Sequence, residues 1–146
     1  MDFFSSMNIS SSALSAERTR MNLISGNLAN ASSTRTTEGG PYKRKDAVFS
    51  ATPVESPFNR ALDSAAGQQA RQVEITEIVE DQNPPRMQYE PGHPDANAQG
   101  YVAMPNVNVV EEMADMINAS RSYEANVTAV QAAKSMALKT LEIGSK

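Results

Sequence analysis

The chain has no cysteine and no tryptophan among its 146 residues. The absence of cysteine excludes disulfide bonds, a thiol nucleophile and thiolate metal sites, and leaves the redox compartment open. Only four tyrosines and four phenylalanines are present, and 40% of the chain is hydrophobic, so a large compact core is not expected. The net charge of −4 argues against nucleic acid as a partner, because proteins that bind nucleic acid present a basic patch.

Long apolar runs are also missing. No stretch approaches the roughly 18 apolar residues of a membrane-spanning helix. The first ten residues, MDFFSSMNIS, have neither the basic start nor the apolar run of a secretory signal peptide. We therefore expect no direct membrane insertion and no cleaved signal peptide.

The sequence lacks the recognisable patterns of catalytic sites. It contains no nucleophile elbow, no phosphate-binding loop and no HExxH motif. The only histidine, His93, lies in the turn sequence PGHPD, and a surface turn is favoured over a metal site because other ligand residues are not close by. We expect no catalytic, cofactor-binding or metal-binding residues, and hence no enzyme.

Proline is absent from both ends of the chain. All eight prolines fall between Pro41 and Pro105, and a proline costs a helix interior about 3 kcal/mol. The ends are therefore free to form long helices. The predicted fold is mainly α with a small β-rich insertion, and its three domains are an N-terminal helix (1–34), a β-rich middle (35–105) and a C-terminal helix (106–146). We expect the two helices to pack as a coiled-coil-like pair, either parallel or antiparallel.

The C-terminal helix has clear start signals and a heptad pattern. Asn108 is placed to cap it, and Glu111 follows at the spacing of a capping box. Apolar residues then recur at alternating spacings of four and three, with two polar breaks. The predicted seam is Val109, Met113, Met116, Ser120, Tyr123, Val127, Val130, Lys134, Ala137 and Leu141. A helix of this length measures on the order of 50 Å, and a stripe so long and wide needs more than one partner.

The N-terminal helix is weaker and rich in asparagine. Met7, Leu14, Met21 and Leu28 recur every seven residues, but Ser, Asn and Gly26 lie between them. A glycine in a helix interior costs about 1 kcal/mol relative to alanine, so an isolated helix is marginal and needs a partner. Apolar surface that the partner helix leaves uncovered is expected to form an interface.

The middle segment predicts four short strands with partial alternation. They are residues 46–51, 72–79, 86–90 and 101–104. The sequence EDQNPP between the second and third is predicted to connect a hairpin. Residues 58–71 leave open either a short helix or a loop.

Two segments resemble known proteins. SALSAERTRMNLISGNLANASSTRTTEGGPYKRK (12–45) is similar to the S-x-L-x-A-x-x-x-x-x-N-x-x-x-x-N-L-A-N pattern of bacterial flagellar axial proteins. GHPDANAQGYVAMPNVNVVEEMADMINASRSYEANVTAVQAAKSM (92–136) resembles more specifically the FlgC family of proximal rod proteins.

The resemblance implies a structural subunit of the flagellar basal-body rod. This rod is a helical tube that crosses the periplasm, transmits motor torque and encloses an export channel. The implied partners are further copies of the chain, other proximal and distal rod proteins, the basal-body ring and rod-base proteins, and the type III export apparatus. In such proteins the terminal helices build the inner tube, the middle domain faces outwards, and the termini are commonly disordered before assembly.

We predict that the subunit interface is formed by the helix stripes together with two asparagines. The residues are Met7, Leu14, Met21, Ile24, Asn27, Leu28, Asn30, Val109, Met113, Met116, Ile117, Tyr123, Val127, Val130, Leu138 and Leu141. Asn22, Asn27 and Asn30, with Ser25 and Gly26, are hypothesised to weaken the free helix for export. After assembly their small polar side chains are expected to bond neighbouring helices or to face a hydrated channel. The alternative is that they form only the exposed face of the helix.

Two other functions remain open from the sequence. The heptads are also compatible with a soluble coiled-coil adaptor that forms a small closed complex, and the terminal motifs with another axial protein of the hook or rod. Self-assembly into an open rod predicts head-to-tail contacts, whereas an adaptor predicts one defined complex size.

Overall fold

The computed structural model describes residues 3–53 and 71–144, with side chains from Ser5 onward. The elements in chain order are helix α1 (Phe3–Ala29), strands β1 (Lys45–Pro53), β2 (Arg71–Glu80), β3 (Arg86–Tyr89) and β4 (Tyr101–Met104), and helix α2 (Val109–Gly144). The predicted fold class, mainly α with a small β insertion, is confirmed. Residues 58–70, for which the sequence left a short helix or a loop open, lie outside the described residues, and Arg71 begins β2.

The two helices form an antiparallel pair. At the C-terminal end of α1, the Asn27 amide lies beside Glu112 in the first turns of α2 (Nδ2 to Oε2, 3.1 Å). Further back along α1, Arg20 lies 3.8 Å from Asp115, which is further along α2. Residue numbers fall along α1 while they rise along α2 between these two contacts. The helices are therefore antiparallel, and the parallel arrangement that the sequence left open is excluded.

The face of α2 that is withdrawn from solvent differs in part from the predicted seam. Its less exposed positions are Glu112, Asp115, Met116, Ala119, Ser120, Tyr123, Asn126, Val127, Val130, Ala133 and Ala137. The positions that were predicted in the seam but are exposed are Val109, Met113, Lys134 and Leu141. The prediction followed apolar character, and it excluded Glu112, a charged residue that the structure buries because polar partners surround its carboxylate.

Strands β1 and β2 form a hairpin that lies lengthwise along α1. They pair antiparallel from Lys45–Glu80 to Pro53–Arg71, with a bulge beside Val48. One end is bonded to α1 at Asn27 and the other at Ser12, whose Oγ accepts from Val73 N at 3.2 Å. The lengths agree, since α1 rises about 22 Å between Ser12 and Asn27 and β1 rises about 20 Å over its first seven residues.

Strands β3 and β4 form a separate hairpin, which corrects one sequence-based prediction. We expected residues 80–85 to connect a hairpin, but β2 pairs with β1, and β3 pairs with β4. The consecutive Pro84 and Pro85 supply no N–H groups, so the β2 ladder cannot continue through them. The segment therefore links two hairpins. On the inner side of the second hairpin, Val102 is fully buried.

The predicted cap of the C-terminal helix is confirmed. Asn108 Oδ1 accepts a hydrogen bond from the Val110 N–H at 3.2 Å, and the Asn108 carbonyl accepts from Glu112 N at 3.0 Å. This arrangement satisfies N–H groups that have no partner within the helix. Within residues 3–53 and 71–144, neither helix is long and apolar enough to cross a membrane.

Candidate assembly interface

The side chain of Asn27 is fully buried and uses all of its hydrogen-bonding capacity. Its Nδ2 donates to the Lys45 carbonyl at 2.9 Å and to Glu112 Oε2 at 3.1 Å. Its Oδ1 accepts from the Lys45 N–H at 2.9 Å and from the Tyr42 hydroxyl at 3.1 Å. An amide has two N–H donors and two acceptor positions, so no group of this side chain is left unpaired.

Glu112 is the acidic partner in the same cluster and is 1% exposed. Its Oε1 accepts from Arg44 Nε, and Arg44 Nη1 donates to Asp46 Oδ2 at 3.1 Å. A buried carboxylate is stable only when paired and hydrogen-bonded. Both oxygens of Glu112 meet this condition. We call Asn27, Tyr42, Arg44, Lys45 and Glu112 the polar cluster.

The surroundings of the cluster shift two pKa values. Burial works to lower the pKa of Arg44, but the hydrogen bond and charge of Glu112, with those of Asp46, outweigh it and raise the pKa. The pKa of Tyr42 is raised above 10.0, mainly by burial; the Lys45 charge opposes this, and the charges of Glu112 and Glu80 add to it. Arg44 is therefore charged and Tyr42 neutral at ordinary pH.

A folded loop returns the chain from the end of α1 to the cluster. Thr36 N donates to the Gly40 carbonyl at 2.9 Å, and Tyr42 N donates to Ser33 O at 3.0 Å. Gly39 and Gly40 have φ angles of +87° and +81°, a region that side chains disfavour. The glycines of the EGG sequence thus allow the reversal that brings residues 42–45 back against Asn27.

Asn30 has a local function at the end of α1. Its Nδ2 donates to the Gly26 carbonyl at 2.9 Å, and its Oδ1 accepts from Ser33 Oγ at 3.1 Å. Asn22 and Ser25 are exposed. The alternative that the asparagines form only an exposed helix face therefore fits Asn22 and does not fit Asn27.

The predicted interface residues fall into three groups in the single chain. Ile24 and Asn27 are buried. Half-buried positions are Leu14, Met21, Leu28, Asn30, Met116, Tyr123, Val127 and Val130. Exposed positions are Met7, Val109, Met113, Ile117, Leu138 and Leu141. The contact of these residues with other subunits stays a prediction, and the exposed group has the most surface free for it.

Exposed apolar residues concentrate in two places on α2. The first, which we call the α2 patch, is formed by Val109, Val110, Met113 and Ile117, which are 43%, 75%, 53% and 54% exposed. The second, the α2 overhang, is residues 138–144. With Asn27 beside Glu112, the start of α1 at Phe3 corresponds to about Met136 on α2, so the overhang extends past it.

The polar cluster was not predicted as a unit from the sequence. No sequence pattern connected Glu112 or residues 42–45 with Asn27. The available signal was a charged residue four positions before Met116 and seven before Ala119, at helical spacing with both, together with an asparagine on the partner helix. Within residues 3–53 and 71–144, no group of His, Asp or Glu residues is arranged to hold a metal ion.

Comparison with family models identifies the class of protein. The model described as "Flagella basal body rod protein" matches residues 7–35, which contain most of α1 and the loop start. The model described as "Flagellar basal body rod FlgEFG protein C-terminal" matches residues 98–143, which contain β4 and nearly all of α2. The two helices that pair in the structure are thus those of a flagellar basal-body rod protein.

Curated relatives give the family within that class. The flagellar basal-body rod protein FlgC of Borreliella burgdorferi is 44% identical over 98% of both chains. Those of Bacillus subtilis and Salmonella typhimurium are each 44% identical, over 99% and 93% of both chains. The chain belongs to the FlgC family of flagellar basal-body rod proteins, and the resemblance identified in the sequence is confirmed. It is a structural subunit of the flagellar basal body.

Proposed function

We propose that the chain builds the proximal rod as one subunit of a helical tube that crosses the periplasm, transmits torque and encloses the export channel. Membership of the FlgC family supports this proposal. In it, the helix segments 1–34 and 106–146 form the rod core, and the middle segment 35–105 faces outwards. The chain reaches the rod through the type III export apparatus.

The observation that carries the proposal is the apolar surface that the helix pair leaves uncovered. Val110 is 75% exposed, Ile117 54% and Leu141 70%. Burying a large apolar side chain stabilises an assembly by roughly 1.5–3 kcal/mol. The α2 patch and the α2 overhang lie towards opposite ends of one helix, an arrangement suited to contacts between different surfaces of neighbouring subunits.

The partners in this proposal are copies of the chain, the other proximal and distal rod proteins, the ring and rod-base proteins, and the export apparatus. The chain acts structurally and has no enzymatic activity, cofactor or nucleic-acid partner.

Deletion of the gene tests the function in cells. Loss of a rod subunit is expected to abolish the hook and filament, since both are built beyond the rod, and a plasmid copy of the gene is expected to restore them. Normal hooks in the deletion strain would contradict the proposal.

Sedimentation of the purified chain at increasing concentration distinguishes the adaptor from the rod subunit. An adaptor gives one closed complex size, alone or with its partner. A rod subunit gives open-ended oligomers, or remains monomeric until other rod proteins are added.

A further inference from the structure

The polar cluster joins three segments that are far apart in the sequence. Asn27 belongs to α1, Tyr42, Arg44 and Lys45 belong to the returning loop and the start of β1, and Glu112 belongs to α2. We propose that this cluster is the joint that fixes the first β-hairpin along the helix pair, with Asn27 as its positioning residue. That the joint carries load between the rod core and the outer segment rests on the proposed function.

Two links to two different helices give the joint a defined orientation. The main chain of Lys45 is bonded to α1 through Asn27, and the adjacent Arg44 is bonded to α2 through Glu112. A single hydrogen bond allows rotation about its axis. Two links from successive residues to two helices restrict both the position and the rotation of β1.

Within residues 3–53 and 71–144, the opposite end of the hairpin has fewer hydrogen bonds to the helices. There the Val73 N–H donates to Ser12 Oγ at 3.2 Å, and both of these groups are neutral. At the cluster the Asn27 amide makes four hydrogen bonds, and the Arg44–Glu112 pair adds a charge-assisted one. The orientation of the hairpin is therefore set at the end that contains the cluster.

Only an asparagine satisfies every group that meets Asn27. An aspartate has no N–H for the Lys45 carbonyl and places a second negative charge beside Glu112. A glutamine side chain is one methylene longer and does not fit the space that the buried Asn27 side chain occupies. An alanine leaves the N–H and the carbonyl of Lys45 without this hydrogen-bond partner. This requirement gives a physical reason for one of the helix-weakening residues in α1.

Distance measurements in the full chain test the joint. Because the chain has no cysteine, Glu77→Cys on β2 and Ala125→Cys on α2, both at exposed positions, provide two unique sites for spin labels. Electron paramagnetic resonance then gives the distribution of distances between the hairpin and the helix. Asn27→Ala is compared with Asn30→Ala, whose hydrogen bonds stay at the end of α1.

We expect one narrow distribution in the labelled parent and in Asn30→Ala. In Asn27→Ala the population outside the main peak should rise by about tenfold or more, because buried groups lose their partners. A parent-like distribution in Asn27→Ala, or a broad distribution in the parent, would overturn the proposal.

Circular dichroism shows whether Asn27→Ala retains its helices. If it does not fold, Tyr42→Phe, which removes one of the four bonds, is measured in its place. A broader distribution then supports the joint, and an unchanged one overturns it. These measurements do not depend on rod assembly, so failure of the joint is distinguishable from failure of the proposed function, which the deletion strain tests.

Discussion

The side-chain amide of Asn27 forms two hydrogen bonds with the main chain of Lys45, each 2.9 Å long. Lys45 is the first residue of β1, and on its other side it pairs with Glu80 of β2. The amide thus occupies the place of a neighbouring strand at the edge of the hairpin, where main-chain groups are otherwise unpaired. The main-chain groups of the first residue of β1 are therefore paired by a side chain of α1.

Replacing Glu112 with alanine is expected to destabilise the fold by about 3 kcal/mol. The change leaves Arg44 without its main partner and the Asn27 amide with an unpaired N–H. The expected loss of stability is at the lower end of the range for a broken buried ion pair, because Arg44 is partly exposed. Chemical denaturation measures the free energy of unfolding. The matched control is Glu124→Ala, an exposed glutamate in the middle of the same helix, expected to change stability by less than about 0.5 kcal/mol. Equal effects of the two changes would contradict the assigned geometry.

The stability of the fold is expected to decline in alkali in a way that depends on Tyr42. Burial raises the pKa of its hydroxyl above 10.0, so the unfolded chain loses this proton at a lower pH than the folded chain. The contribution of the Tyr42 hydroxyl to the free energy of unfolding is fully present below about pH 10. It is lost as the pH rises through the pKa that Tyr42 has in the folded chain. Tyr42→Phe should therefore show a shallower alkaline decline than the parent.

Tyr89→Phe is the control for the alkaline measurement, because Tyr89 is 63% exposed. In Tyr89→Phe the unfolding free energy should fall with pH at the same slope as in the parent, because Tyr42 and its surroundings are unchanged. At neutral pH, Tyr42→Phe should cost about 1 kcal/mol through the lost hydrogen bond to Asn27. A parent slope in Tyr42→Phe would mean that the hydroxyl is not shielded from solvent.

Gly100→Ala is expected to disturb the second hairpin. A Cβ at this position would lie 2.8 Å from Tyr89 Cε2, and the φ angle of +81° disfavours a side chain. The cost is of order 1–3 kcal/mol, and amide exchange of β3 and β4 should accelerate accordingly. Gly92→Ala is the matched control, since nothing lies within 4 Å of its added Cβ. Unchanged exchange in Gly100→Ala would contradict both the strain expected at this φ angle and the close approach of the Tyr89 ring.

Polar substitutions in the α2 patch should impair assembly and spare the fold. Met113→Gln and Ile117→Gln remove apolar side chains that are 53% and 54% exposed in the single chain. Because about half of each side chain is already covered, each loses at most about half of the roughly 1.5–3 kcal/mol that full burial contributes, so fewer hooks per cell are expected in a complemented deletion strain. Asn118→Gln, exposed and already polar, should behave as wild type. Full hook numbers in both substituted strains would exclude the α2 patch from the interface.

Hydrogen exchange of the purified chain should reveal two parts of the helix pair. Buried helix residues lie between Ala16 and Asn27 on α1 and between Glu112 and Ala119 on α2. Amides there should be protected, whereas those of the α2 overhang should exchange rapidly because α1 does not reach them. Fast exchange throughout both helices would instead support the expectation, drawn from the family resemblance, that the termini order only on assembly.

The sequence predicted the elements well because their signals are local. The proline-free ends gave α1 and α2, and alternation gave four strands with nearly the observed limits. The Asn108 cap was also predicted correctly, since a cap involves only groups a few residues apart.

Long-range pairing was predicted less well. The hairpin partners of β2 and β3 were wrong because alternation describes the faces of a strand but not its neighbour. The seam of α2 was displaced at its ends because apolar spacing does not show where α1 ends or that Glu112 is buried with partners.

The sequence by itself determined two long helices, a strand-rich middle without a large core, and the motifs of the FlgC family. These properties depend on composition and on spacing along one segment. Only the tertiary structure decided that the helices are antiparallel, that the first hairpin lies along α1 and that Asn27 meets Lys45 and Glu112. The physical reason is that a buried polar group is stable only where its partners converge, and residues 18 and 85 positions apart converge only in the folded chain.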